Sequence, residues 1–186
     1  MSQKICKSIF FTAIIVLFTI IAAADTWAAR DGQIGATSTA YTQVTLSIPP
    51  RIQINNIQDI NLGLYQDQGD LNGNTNLCIY TNGVDGYKVN VSNTEGAGSD
   101  FQIFNQSQIH KTASLPMEVS WSNRSGQTES KRLKQNTAVK FDKMAKSDCG
   151  AQDYNANLSV NVKDEHLRAA PSGIYSTHLA VMVEPL

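Results

Sequence analysis

Asp70, Asn72, Asn74 and Asn76 carry side-chain oxygens at every second position, the spacing with which a calcium loop begins. Chemistry at that spacing would be the binding of a hard cation. The rest of the motif is missing. Gly73 stands at the wrong offset for the loop's sharp turn, and position twelve is Thr81 rather than a bidentate glutamate. A polar surface loop is the better reading, with NGN at 72–74 as a turn. His110, His166 and His178 are scattered, without an H-E-x-x-H pair or other metal-ligand spacing. No G-x-S-x-G, phosphate loop or dinucleotide fingerprint occurs. The expectation is a protein that is not an enzyme and takes no cofactor and no metal.

Cysteine is the remaining reactive type. Cys6 precedes a 16-residue apolar run from Ile9 to Ala24 that follows Lys4 and Lys7, the pattern of an export signal. Small residues at Ala22 and Ala24 suit cleavage before Asp25, and a second acceptable site follows Ala28. The run is short of the roughly 18–20 residues of a spanning helix. Cys6 would leave with this segment, whereas Cys78 and Cys149 would reach an oxidising compartment, where an intramolecular disulfide is the leading expectation. A metal site would want more ligands.

Composition narrows the function classes. The 186 residues hold 15 Lys and Arg against 16 Asp and Glu, which leaves no positive excess to neutralise phosphates, so nucleic-acid binding is excluded as an expectation. Charged residues make up 17% of the chain, below the roughly 25% of an average globular protein. Ser, Thr, Asn and Gln take their place, as on secreted β-proteins.

The elements that must position these residues alternate with a period of two. Val44, Leu46 and Ile48 alternate with Thr45 and Ser47; Tyr87, Val89 and Val91 with Lys88 and Asn90; Met117, Val119 and Trp121 with Glu118 and Ser120. Leu158, Val160 and Val162 follow the same rule, as do Tyr175, Thr177, Leu179, Val181 and Val183. Trp121 is in phase with its core neighbours, so it reads as core rather than as a sugar-stacking platform. Shorter candidates are Ile52–Ile54, Cys78–Thr81, Phe101–Phe104 and Ala138–Phe141. Turn residues separate the runs, and no convincing amphipathic helix is present, which predicts one antiparallel sandwich.

Two features at the ends bear on function. Pro49-Pro50 removes two backbone donors directly after Ile48, so the strand 38–48 cannot continue into Ile52–Ile54 and is mechanically separable. The last strand reaches Glu184, with no residues left to return beside it, so one sheet edge and a strip of core are expected to stay open. A detachable strand in front and an unclosed groove behind suggest strand addition between copies.

The order of VTLSIPPRIQI at 44–54, DINLG at 59–63, CIYTNGVDGYKVNV at 78–91, LPMEVSWSN at 115–123, CGAQDYNANLSVNV at 149–162 and APSGIYSTHLAVMVEP at 170–185 resembles the pilins of chaperone–usher fimbriae. The likeness is to the archaic type that shares the spore coat U domain, and more distantly to colonisation-factor pilins. It implies an all-β, incomplete immunoglobulin-like β-sandwich completed by donor-strand addition. Residues 1–24 would be the signal peptide (cleavage possibly after 28), 25–50 a polar leader plus N-terminal donor strand, and 51–186 the pilin sandwich. Implied partners are a periplasmic fimbrial chaperone, an outer-membrane usher and neighbouring pilin subunits. The donor role falls on Thr42, Val44, Leu46 and Ile48, the hinge on Pro49 and Pro50, and the disulfide on Cys78 and Cys149. Ile52, Ile54, Leu179, Val181 and Val183 are candidates for the acceptor groove. The implied function is a structural subunit of a cell-surface fimbria serving adhesion or biofilm formation. A fimbrial tip adhesin binding a surface or glycan and a non-fimbrial secreted coat or matrix protein are the alternatives.

Overall fold

The computed structural model describes residues 29–82, 86–95, 98–107, 109, 112–126, 130–142, 149–150 and 153–186. The expected signal peptide, both cleavage positions and His110 lie outside them. The chain divides into two units, residues 1–47 and 48–186.

In the first unit the described residues run from Ala29. Arg30 and Tyr41 exchange a pair of backbone hydrogen bonds, each 3.0 Å, which closes a hairpin. From Thr42 to Ser47 the backbone forms no strand pairing among the described residues, and every side chain is exposed. The alternation of 44–48 is therefore present in the sequence without the half-burial that such alternation predicts.

The second unit is an all-β, immunoglobulin-like sandwich of antiparallel strands. A five-stranded sheet has the order β1 (Ile52–Asn55), β2 (Leu71–Thr81), β9 (Ala156–Val162), β6 (Glu118–Ser122), β7 (Lys131–Arg132). Two three-stranded sheets complete it. One is ordered β10 (Tyr175–Ser176), β4 (Gln102–Asn105), β5 (Ser114–Pro116); the other β11 (Leu179–Pro185), β3 (Tyr87–Asn93), β8 (Val139–Phe141). The inward residues of these strands form one apolar cluster. Leu77 and Ile79 of β2, Val119 and Trp121 of β6 and Leu158 and Val160 of β9 meet Tyr87, Val89 and Val91 of β3. The indole N–H of Trp121 donates to the Tyr87 hydroxyl at 3.1 Å, and the Tyr87 ring stacks on Phe141. Burial pushes the Tyr87 phenol up to about 12.

Three expectations are corrected. The turn at 72–74 and the polar loop around it are instead the first half of β2, paired with β9 through Asn72↔Asn161 and Asn74↔Ser159. The polar alternation marks the outward face of that strand. Gly73 sits mid-strand because Ile60 and Leu62 pack where its side chain would be; a Cβ there would stand 2.5 Å from Ile60 Cγ2. The single strand expected over 175–183 is two, since β10 pairs with β4 while β11 pairs with β3. A short helix, α1 (Asp164–Arg168), follows β9. Its acids occupy the first turn and His166 and Arg168 the last, which complements the helix dipole.

Cys78 and Cys149 form a disulfide with Cα atoms 5.8 Å apart. Beside it Asn155 gives its side-chain amide to both backbone groups of Ile79, at 2.7 and 2.8 Å, in place of a ladder residue.

Candidate functional site

A groove of about 950 Å³ opens along the second unit. Its floor is Leu158, Val160 and Val162 of β9, with Leu115 and Met117 from β5 and the residue before β6. One wall is the segment 57–65, which contains Ile60 and Leu62; the other is the stretch 170–179, with Ile174, Tyr175 and Leu179. The exposed rims are apolar as well: Leu64 is 81% and Ile174 78% exposed. Exposed aliphatic rims above a buried aliphatic floor make an area that water covers at a cost in free energy.

Segment 57–65 belongs to no strand among the described residues, so no ladder closes that side of the groove. β1 has one neighbour, β2, and β11 has one neighbour, β3. The two lie side by side without sharing a ladder. Among the described residues each therefore has an edge that no other strand pairs with, and of the two strands Leu179 of β11 is the residue that reaches the groove. On β11 the inward residues Leu179, Val181 and Val183 are half-buried, whereas Ala180, Met182 and Glu184 are exposed.

The wall 57–65 is held by side chains rather than by a ladder. Its Gln58 backbone N–H donates to the Thr75 hydroxyl at 3.0 Å. At the far end the Tyr65 hydroxyl donates to Asp164 at 2.6 Å, and Arg168 pairs with the same carboxylate at 2.7 Å. Desolvation and the neighbouring Asp164 raise the Tyr65 phenol above its ordinary value. Asp70 accepts from the backbone N–H of Asp164 at 2.9 Å and from the Lys163 ammonium at 3.2 Å, capping the helix from outside. The Asp164 N–H and then Lys163 hold its carboxyl below the usual range. α1, which contributes Leu167 to the groove, is thus fixed both to the wall and to the start of β2.

Of the residues that sequence reasoning assigned to the groove, the structure places Leu179 on its lining. Ile52 and Ile54 sit on β1, in register with Thr81 and Ile79, and pack on the core beside Val181 and Val183. Sequence reasoning missed Ile57, Ile60, Leu62 and Leu64, although Ile60, Leu62 and Leu64 alternate with Asn61 and Gly63. Val44, Leu46 and Ile48 are 90%, 82% and 67% exposed, and Thr42 is exposed with them. Directly after them, Asn82 accepts from the Arg51 backbone N–H at 2.6 Å and donates to the Pro49 carbonyl at 2.9 Å. The two prolines are held at the point where the sandwich begins.

No family model and no curated protein matches this chain. Among solved structures it is similar to a chain of one described as "Chaperone-tip adhesin complex is vital for synergistic activation of CFA/I fimbriae biogenesis", with a TM-score of 0.53 and 14% identity. The match covers 73% of this chain and 41% of that one, so this chain spans less than half the length of its structural neighbour. What the two share is the immunoglobulin-like fold.

Proposed function

We propose that this chain is an exported structural subunit of a surface fimbria, polymerising when residues 42–48 of one copy fill the groove of the next. The observation that carries the reading is an apolar groove walled on one side by a segment without a ladder, together with an exposed, alternating apolar run at 42–48 of the same polypeptide. Val44, Leu46 and Ile48 repeat every second residue, about 7 Å apart, and would face the floor formed by Leu158, Val160 and Val162. Burying three aliphatic side chains together with a row of main-chain hydrogen bonds gives a gross gain on the order of 10 kcal/mol, before the costs of ordering. A fibre without covalent links needs a junction of that size.

The same groove requires cover before assembly, which supports a periplasmic chaperone lending a strand and an outer-membrane usher exchanging it. The resemblance to pilins supports both partners, and the neighbour's description as part of a chaperone–tip adhesin complex supports the chaperone. The test is deletion of residues 29–48. A subunit that still folds on its chaperone but cannot polymerise supports the reading, and a chain that fails to fold overturns it.

A tip position is the second reading, favoured by the neighbour's description as part of a tip adhesin complex. Counting copies per fibre separates the two: many mark a shaft subunit, one marks a tip.

A further inference from the structure

The outward face of the five-stranded sheet carries a smaller recess of different chemistry. Gln58, Asp59, Asn74, Thr75, Asn76 and Tyr154 line a polar pocket of about 200 Å³. That is the liquid volume of roughly seven water molecules, room for one ring rather than for a chain. Its amides are fixed in direction. The backbone N–H of Gly126, in the turn after β6, donates to Asn76 Oδ1 at 3.1 Å, and a backbone donor cannot reverse its polarity. Asn157, 1% exposed, places its Nδ2 against Asn76 Oδ1 at 2.8 Å and Asn74 Oδ1 at 3.0 Å. Turning Asn157 over would set oxygen against oxygen on both sides. Its own Oδ1 is buried with no donor among the described residues, which native structures seldom tolerate without a reason.

The consequence of that arrangement lies in the pocket. With their oxygens held inward, Asn74 and Asn76 keep their Nδ2 groups as donors that have no acceptor among the described residues. Asp59 adds a carboxylate without an ion-pair partner among the described residues, and Tyr154 adds an aromatic ring and a hydroxyl. Fixed amide donors disfavour a cation, and Asp59 disfavours an anion. An apolar ligand would strip every one of these groups of water. A ring bearing several hydroxyls, each both donor and acceptor, satisfies all of them.

We propose that this recess binds a single neutral pyranose unit of a glycan. The recess adjoins the groove, sharing Gln58, Asp59 and Thr75 with it, while Asn74, Asn76 and Tyr154 belong to the recess and not to the groove, so variants at those three residues test the recess separately from the fibre reading. The experiment is saturation-transfer NMR on the exported protein with the methyl glycosides of glucose, galactose, mannose and N-acetylglucosamine, and with methyl sialoside as the anionic control. At least one neutral glycoside is expected to receive transfer and the sialoside none. Asn74→Asp keeps the oxygen that Asn157 holds but exchanges the donor for an acceptor, and should weaken binding about tenfold or more; Tyr154→Ala should abolish it. Thermal unfolding unchanged in Asn74→Asp confirms that the loss is local. Silence from all four neutral glycosides, transfer to the sialoside, or undiminished binding by Asn74→Asp overturns the proposal.

Discussion

Tyr65 and Asp164, 99 residues apart in the chain, are joined by a hydrogen bond of 2.6 Å in which the phenol donates to the carboxylate. The bond ties the irregular wall of the groove to the helix that follows β9, and Arg168 completes it from the next turn. A wall without a ladder depends on such side-chain ties for its position.

Tyr65→Phe removes the tie while keeping the ring. The expected outcome is several-fold weaker capture of a labelled peptide of residues 38–48, read by fluorescence anisotropy, with the circular dichroism of the sandwich unchanged. Capture equal to that of the unaltered protein would show that the wall holds its place without Asp164.

Gly73 tests the same wall from below. A methyl group at this position would meet Ile60 Cγ2 at 2.5 Å and Leu62 Cδ2 at 2.8 Å, so Gly73→Ala must displace both side chains. Overpacking of this kind costs about 1–3 kcal/mol. A lowered urea midpoint together with weaker peptide capture is expected, and a neutral substitution would mean that the wall yields freely.

The disulfide closes a loop of 71 residues. In the chain-entropy account such a closure stabilises by about 4 kcal/mol, with 2–5 kcal/mol typical of native bridges. Replacing both Cys78 and Cys149 by alanine should lower the denaturation free energy by that amount, and the double variant should no longer respond to reductant. A reductant-insensitive parent protein would contradict it.

Alkaline stability follows from Tyr87, whose folded-state value of about 12 lies above its ordinary 10.0. A raised acid is kept neutral by the fold, so its contribution is complete below pH 10 and is lost as the pH climbs toward 12. Two units correspond to roughly 2–3 kcal/mol. Chemical denaturation between pH 9 and 12 should show this decline in the parent chain and a much flatter profile in Tyr87→Phe.

The sandwich was legible where one face of a strand is apolar and the other polar: Tyr87, Val89 and Val91 are inward as the alternation requires, and so are Leu158, Val160 and Val162. β2 was half hidden, because Gly73 and the asparagines around it carry turn propensity, which the ladder with β9 and the packing of Ile60 and Leu62 over Gly73 override. The break between β10 and β11 left no trace in the alternation, since Thr177 keeps the phase while the strand changes partner. The groove wall was missed for a related reason. Ile60, Leu62 and Leu64 alternate, but a short run between turn residues reads as a loop unless its partner surface is known. The polar pocket was beyond sequence reasoning altogether, because it depends on Gly126 being folded back over Asn76 from fifty residues away.

Trp121 is fully buried between the sheets with its indole N–H bonded to Tyr87. That placement makes it a built-in optical gauge. Its ultraviolet emission in the intact sandwich belongs at the short-wavelength end of the tryptophan range and moves to longer wavelength once solvent reaches the ring, so, with Trp27 replaced by phenylalanine, the cohesion of the sandwich can be followed without any label.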